Sequence, residues 1–169
     1  MDRPPRRRKE SIITRRLLVR AWGLLGVTSA LLVTGGFLWV LLSAGWHPGD
    51  PTGAGTPLHA TWLEATTMTF AGIVACQVGT AMAARTDRVS LLSVGVLTNR
   101  LLLAGIAFEL AVTAAVVYLP PLQRVFETRP LGGRELLVLA TFPIVVWGVD
   151  EVFRAFSRRR SPQESTGRR

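Results

Sequence analysis

Between Arg20 and Asp50 the chain runs through 29 residues without a charge. Three more stretches of this kind follow. There are 20 uncharged residues between Glu64 and Arg85, and 14 between Glu135 and Asp150. The 23 residues from Leu101 to Gln123 contain a single charge, Glu109. A helix needs about 20 apolar residues to cross a bilayer, whereas runs of about 10–14 belong in buried cores. In hydrocarbon the backbone must satisfy its own hydrogen bonds, so spanning segments of this length are helices. Three stretches pass as they stand. The fourth passes only if Asp150 and Glu151 sit at the interface and the helix continues to about Phe156. The pattern predicts an all-α polytopic membrane protein, a four-transmembrane-helix bundle with spans at about 17–42, 60–84, 101–119 and 135–156.

Composition agrees. Only 18% of the residues are charged and mean hydropathy is +0.33, against roughly 25% charged residues in soluble domains. The formal charge of +9 could point to nucleic acid. Here the basic residues flank apolar spans instead of lining a soluble face, so no nucleic-acid partner is expected and membrane lipid is. Of the 20 Lys and Arg, 17 fall on one side of the predicted topology. They lie in the N-terminal arm up to Arg20, in the loop holding Arg85, Arg88 and Arg100, and in the tail from Arg154. The opposite side holds Arg124, Arg129 and Arg134. The positive-inside rule then places both termini in the cytoplasm, as an even number of spans requires.

Residues 1–16 read as a basic, irregular cytoplasmic segment containing Pro4-Pro5. Residues 17–156 form the membrane domain, and 157–169 read as a disordered basic tail. Arg15-Arg16-Leu17-Leu18 loosely resembles a twin-arginine signal, but the apolar run is far longer than the hydrophobic region of a cleaved signal. The segment His47–Pro57 is rich in Pro and Gly and reads as an outside loop. Trp39 and Trp46 near it suit an interfacial belt. The lone Cys76 lies inside a span and reads as a small packing residue. His47 and His59, twelve residues apart and without a Cys or acidic cluster, make a weak metal site.

Two polar groups lie deep in the apolar segments. Gln77 is eight residues from Arg85, about 12 Å along a helix, and Glu109 is nine residues from Arg100, about 13.5 Å. Antiparallel neighbours would bring both to nearly the same depth. A charged side chain there costs about 2.5–3.5 kcal/mol on insertion scales, so it faces a cavity, an ion or a partner. Thr80 and Thr113 add oxygens of the kind hard cations prefer, too few for a complete cage. Gln77 and Glu109 are the candidate cation or proton site; a protonated Glu109 hydrogen-bonded within the bundle is the plain alternative. Ala71, Ala75, Gly79 and Ala83 form a stripe that permits close helix packing. Gln77 lies about 160° away from Gly79, on the opposite face. No catalytic residue is visible: there is no Asp-Lys-Thr-Gly motif, no phosphate loop and no His/Cys cluster.

These residues carry a resemblance. The chain resembles the C-terminal membrane region, helices seven to ten, of P-type cation-transporting ATPases of the calcium-pump and sodium-pump branch. Met1-Asp-Arg-Pro-Pro-Arg with Lys9-Glu10 resembles the loop before the seventh helix, and Phe70 to Asp87 the eighth. Thr98-Asn-Arg-Leu101 and Tyr118-Leu-Pro-Pro-Leu-Gln123 resemble the two ends of the ninth. Asp150-Glu-Val-Phe-Arg154 resembles the Asp-Glu signature of the tenth, which makes Asp150 and Glu151 signature residues. The resemblance implies a module that supports the ion-transport helices in ATP-driven cation translocation in the plasma membrane and is not catalytic alone. Its partners would be the remaining N-terminal part of a pump and the transported cation. It would hold no cofactor itself; ATP and Mg²⁺ would bind the missing catalytic part. Gln77 stands where calcium pumps with two ion sites carry a Glu ligand. Glu109 matches a ninth-helix Glu near an additional site in sodium pumps. The chain would be a fragment, a truncated product or half of a split pump. The alternative is an independent tetraspan protein, a proton-coupled carrier or a regulatory subunit.

Overall fold

A computed structural model describes residues 19–84 and 99–159. Every regular element among them is helical, and four helices are long and apolar enough to cross a membrane: Arg20–Ser43, His59–Ala84, Arg100–Tyr118 and Gly133–Phe156. They are called the first to fourth spans below. The N-terminal arm to residue 18, most of the expected loop at 87–99, and the tail from residue 160 lie outside the described residues.

The boundaries differ from the sequence reading at two places. The fourth helix starts at Gly133 and continues to Arg159, three residues past the expected end of the membrane domain. The connection after the third span is not plain loop, because Pro120–Phe126 forms a further short helix. Proline cannot continue the third span, but its fixed φ suits the first turn of a new helix. The residue before a proline is pushed out of the helical region. Leu119 accordingly adopts φ −87° and ψ 119° and separates the two helices.

The two prolines leave a backbone debt, and side chains settle it. In a continuous helix the N–H groups of residues 120 and 121 would bond to the carbonyls of Val116 and Val117. Proline has no N–H. Instead Thr128 Oγ1 donates to the Val116 carbonyl at 2.7 Å, and Gln123 Nε2 donates to the Val117 carbonyl at 2.6 Å. The Tyr118 hydroxyl donates to the Leu131 carbonyl at 2.9 Å. The Arg129 N–H then reaches Thr67 Oγ1 at 2.9 Å, which pins this turn to the buried face of the second span.

The second span is the hub. It packs against both the first and the fourth, and the core gathers Val40, Leu41, Ala65, Met68, Leu139, Phe142 and Val146. Small residues set the approach. A Cβ at Gly72 would lie 3.1 Å from Phe142 Cε2, and one at Gly36 would lie 3.2 Å from Phe142 Cζ and from Met68 Cε. Phe142 therefore fills a slot floored by two glycines on different helices. At Gly79 the fourth span comes closer still. A Cβ there would stand 2.8 Å from the Pro143 carbonyl oxygen and 2.9 Å from Pro143 Cα. The small-residue stripe is thus a packing seam, with Ala71, Gly79 and Ala83 buried and Ala75 half-buried. The third span stands apart: only 11% of its apolar window is buried, and Leu101, Phe108 and Leu110 are exposed.

The first span opens with a π-helical stretch, Val19–Gly26, before continuing as an α-helix from Val27 to Ser43. The wider π turn occurs mostly as a local insertion in an α-helix, frequently at functional sites. Here it carries Arg20.

Candidate functional site

Two polar centres occupy the bundle. The first lies where the ends of three spans converge. Asp150, on the fourth span, is fully buried. Arg20 grips it from the first span with two parallel bonds, Nε to Oδ1 at 2.6 Å and an Nη to Oδ2 at 2.8 Å. The same guanidinium donates to the Ala83 carbonyl at 3.2 Å, in the last turn of the second span. Arg154, one helical turn beyond Asp150 and 4% exposed, adds an Nη to Oδ2 contact at 3.0 Å and a second to Glu151 Oε2 at 3.0 Å. Among the described residues two cations face two anions, so a charge that hydrocarbon would reject becomes tolerable in place. The fork geometry is available to arginine and not to lysine.

Sequence reasoning singled out Asp150 and Glu151 but not their partners. Arg154 was within reach of an i, i+4 argument. Arg20 was not, because 130 residues separate it from Asp150. The pairing also sets geometry: the first residue of the first span, the last turn of the second and the end of the fourth share one side of the bundle.

The second centre holds the residues the sequence placed at mid-depth. Gln77 is exposed on the second span, on the face opposite buried Gly79, as the helical angle predicted. Glu109 is half-buried on the third span. The two spans touch, yet no hydrogen bond joins the two side chains among the described residues. The nearby hydroxyls are tied to their own helices. Thr80 Oγ1 donates to the Cys76 carbonyl at 3.0 Å, and Thr113 Oγ1 donates to the Glu109 carbonyl at 2.9 Å. Each keeps lone pairs that can still accept or coordinate. The Gln77 amide thus points away from the packed seam, toward whatever covers this surface.

Neither histidine contributes to such a centre. His47 Nδ1 is 3.6 Å from Asp50 Oδ2, while His59 Nδ1 is 3.1 Å from the Thr52 carbonyl and its ring stacks on Trp62. Among the described residues no group of three His, Cys, Asp or Glu side chains could hold a metal.

A family profile described as "Cation transporting ATPase, C-terminus" matches residues 1–156. The chain belongs to this cation-transporting ATPase family. Within it the chain is 29% identical over 158 residues to the mouse calcium-transporting ATPase type 2C member 2, covering 94% of this chain and 15% of that protein. It is 26% identical over 166 residues to calcium-transporting ATPase 1 of Saccharomyces cerevisiae, covering 98% and 16%. It is 31% identical over 160 residues to calcium-transporting ATPase 1 of Schizosaccharomyces pombe, covering 95% and 16%. The chain spans about a sixth of the length of the curated relatives it matches. The match accounts for the four-helix membrane module and does not favour an independent tetraspan carrier. Within the cation-transporting ATPase C-terminal domain, the Asp150 cluster ties the helix ends together and Gln77 faces outward.

Proposed function

We propose that this chain is the C-terminal membrane module of an ATP-driven calcium pump, and that it braces ion-translocating helices supplied by another part of that pump. The family match across residues 1–156 carries this reading, together with calcium-transporting ATPases as relatives. ATP and Mg²⁺ are taken up by the catalytic part, and the chain performs no phosphoryl transfer of its own. The membrane is the plasma membrane of the cell, with both termini on the cytoplasmic side, in keeping with the one-sided Arg and Lys distribution.

In this reading Gln77 and Glu109 lie beside the cation path and modulate ions whose principal ligands come from the partner helices. The exposure of Gln77 supports it. An amide in hydrocarbon needs a hydrogen-bond partner, and Gln77 stands exposed among the described residues. The exposed apolar face of the third span gives those helices a surface to pack on.

The test is complementation. Co-expression of this chain with a calcium pump truncated before its C-terminal module should restore ATP-dependent calcium uptake into vesicles, and the two parts should co-purify. Ion flux through the chain reconstituted by itself, without ATP, would instead establish an independent carrier. Fractionation of tagged protein between plasma membrane and internal membranes tests the location.

A further inference from the structure

The short helix Pro120–Phe126 is two-sided. Val125 and Phe126 are 72% and 58% exposed. At about 100° per residue Leu122 falls between them, and Arg124 lies about 200° from Leu122, on the opposite flank. Arg124 is exposed as well. Gln123 sits between the two flanks, with its amide held by the Val117 carbonyl of the third span.

Hydrogen bonds fix the level of this helix. The third span has 19 residues and is about 28 Å long, which matches a hydrocarbon core about 30 Å thick. Tyr118 therefore stands at the boundary of the core, and the short helix begins two residues later. It does not rise away from that level. Gln123 reaches back to the Val117 carbonyl at 2.6 Å, and Thr128, just past the helix end, reaches back to the Val116 carbonyl at 2.7 Å. Next in the chain, the Arg129 N–H meets Thr67, which lies about 7 Å from the middle of the second span, His59–Ala84. Start, middle and end are all held at or inside the boundary. The helix lies across the third span instead of extending it.

At that level the two flanks meet different solvents. A guanidinium is costly in hydrocarbon and stays with headgroups and water. Apolar side chains gain by entering the acyl boundary, as they do in helices that lie in the interface. The flank holding Leu122, Val125 and Phe126 therefore belongs to acyl chains, and Arg124 to headgroups.

We propose that Pro120–Phe126 is an interfacial anchor: Val125 and Phe126 sit among the acyl chains of one leaflet, Arg124 sits at its headgroups, and this seat sets the depth of the third span. Packing holds that span weakly, with 11% of its apolar window buried. Anchors at the interface set the depth and tilt of such a helix. The level of Glu109, carried by the same span, is thus fixed by lipid. The seat needs no pump partner, so its test is independent of the function proposed above.

Spin labelling of the full 169-residue chain in phosphatidylcholine vesicles decides it. The lone Cys76 is buried and is replaced by Cys76→Ala. Nitroxide labels are then attached singly at Arg124→Cys, Val125→Cys and Phe126→Cys. Each is read by collision with oxygen, which concentrates in hydrocarbon, and with a neutral nickel chelate, which stays in water. Oxygen should dominate at positions 125 and 126, and the chelate at 124. Chelate-dominated collisions at 125 and 126 would overturn the proposal. So would spin–spin broadening at 126 that unlabelled chain relieves, since a second copy would then cover the apolar flank. If Phe126→Cys fails to fold, Val125→Cys decides alone. For the anchoring, the label goes on the third span at Val112→Cys, an exposed position. Adding Val125→Ser and Phe126→Ser should lower its oxygen-to-chelate ratio, as the span slides toward water at that end. An unchanged ratio would show that lipid contact at this helix does not set the depth.

Discussion

Arg20 and Asp150, the first charge of the first span and a buried carboxylate of the fourth, are joined by two parallel hydrogen bonds of 2.6 and 2.8 Å. The pair is the centre of a cluster that also holds Arg154 and Glu151. Removing Asp150 takes from Arg20 and Arg154 the buried carboxylate they share.

Asp150→Ala should therefore destabilise the bundle by about 3–5 kcal/mol, the usual range for stranding a buried charge. Arg20→Lys should be milder but still harmful, because an ammonium cannot reproduce the fork. Thermal unfolding in detergent, followed by circular dichroism, checks both. An unchanged Asp150→Ala melting temperature would show that the cluster does not hold the helix ends together.

At the seam, Gly79→Ala should cost about 1–3 kcal/mol through overpacking, since the new methyl would meet Pro143 backbone. Backbone cannot step aside as a flexible side chain can. Gly35→Ala is the control: that position is exposed with nothing within 4 Å of a Cβ, and alanine's helix propensity should make it neutral or slightly stabilising. Comparing the two melting temperatures separates close packing from glycine content.

Thr128→Val keeps the shape of the side chain but removes the donor that serves the Val116 carbonyl. Gln123→Leu does the same for Val117. Each should cost about 1–3 kcal/mol by leaving an acceptor unsatisfied. Trypsin cleavage at exposed Arg124 should accelerate in both variants, because the turn loses its anchor. Unaltered cleavage would mean that water replaces the lost donors.

Glu109→Gln and Gln77→Leu should leave the isolated module as stable as before. In the assembled pump they should shift the calcium concentration at half-maximal uptake while preserving co-purification. Uptake curves that superimpose on those of the unaltered pump would make both residues structural.

What could be read from the sequence was whatever depends on counting along the chain. The lengths of the uncharged stretches gave four spans, and helical angle put Gly79 in a seam and Gln77 on the opposite face. The Pro120-Pro121 pair correctly ended the third span. It also started a short helix, which was missed because proline was read only as a breaker and not as a first-turn residue. Asp150 was recognisable as a signature residue of the resemblance, whereas its partner Arg20 was not, because no local rule links positions on the first and last spans. Nor does any period in the sequence foretell the π turn at Val19–Gly26. Phe142 reads as one more apolar residue until Gly36 and Gly72 are seen flanking its slot.

The ion cluster also bears on the order of biosynthesis. A membrane protein is inserted from its N-terminus, so Arg20 enters the bilayer region well before Asp150 has been made. During that interval the Arg20 guanidinium can reach the Ala83 carbonyl of the second span but not yet the Asp150 carboxylate. Arrival of the fourth span supplies that carboxylate, the arginine one turn beyond it, and the Pro143 backbone that fits against Gly79. The last helix is therefore the one that locks the other two, and a ribosome stalled short of residue 150 would leave an open, unlatched bundle.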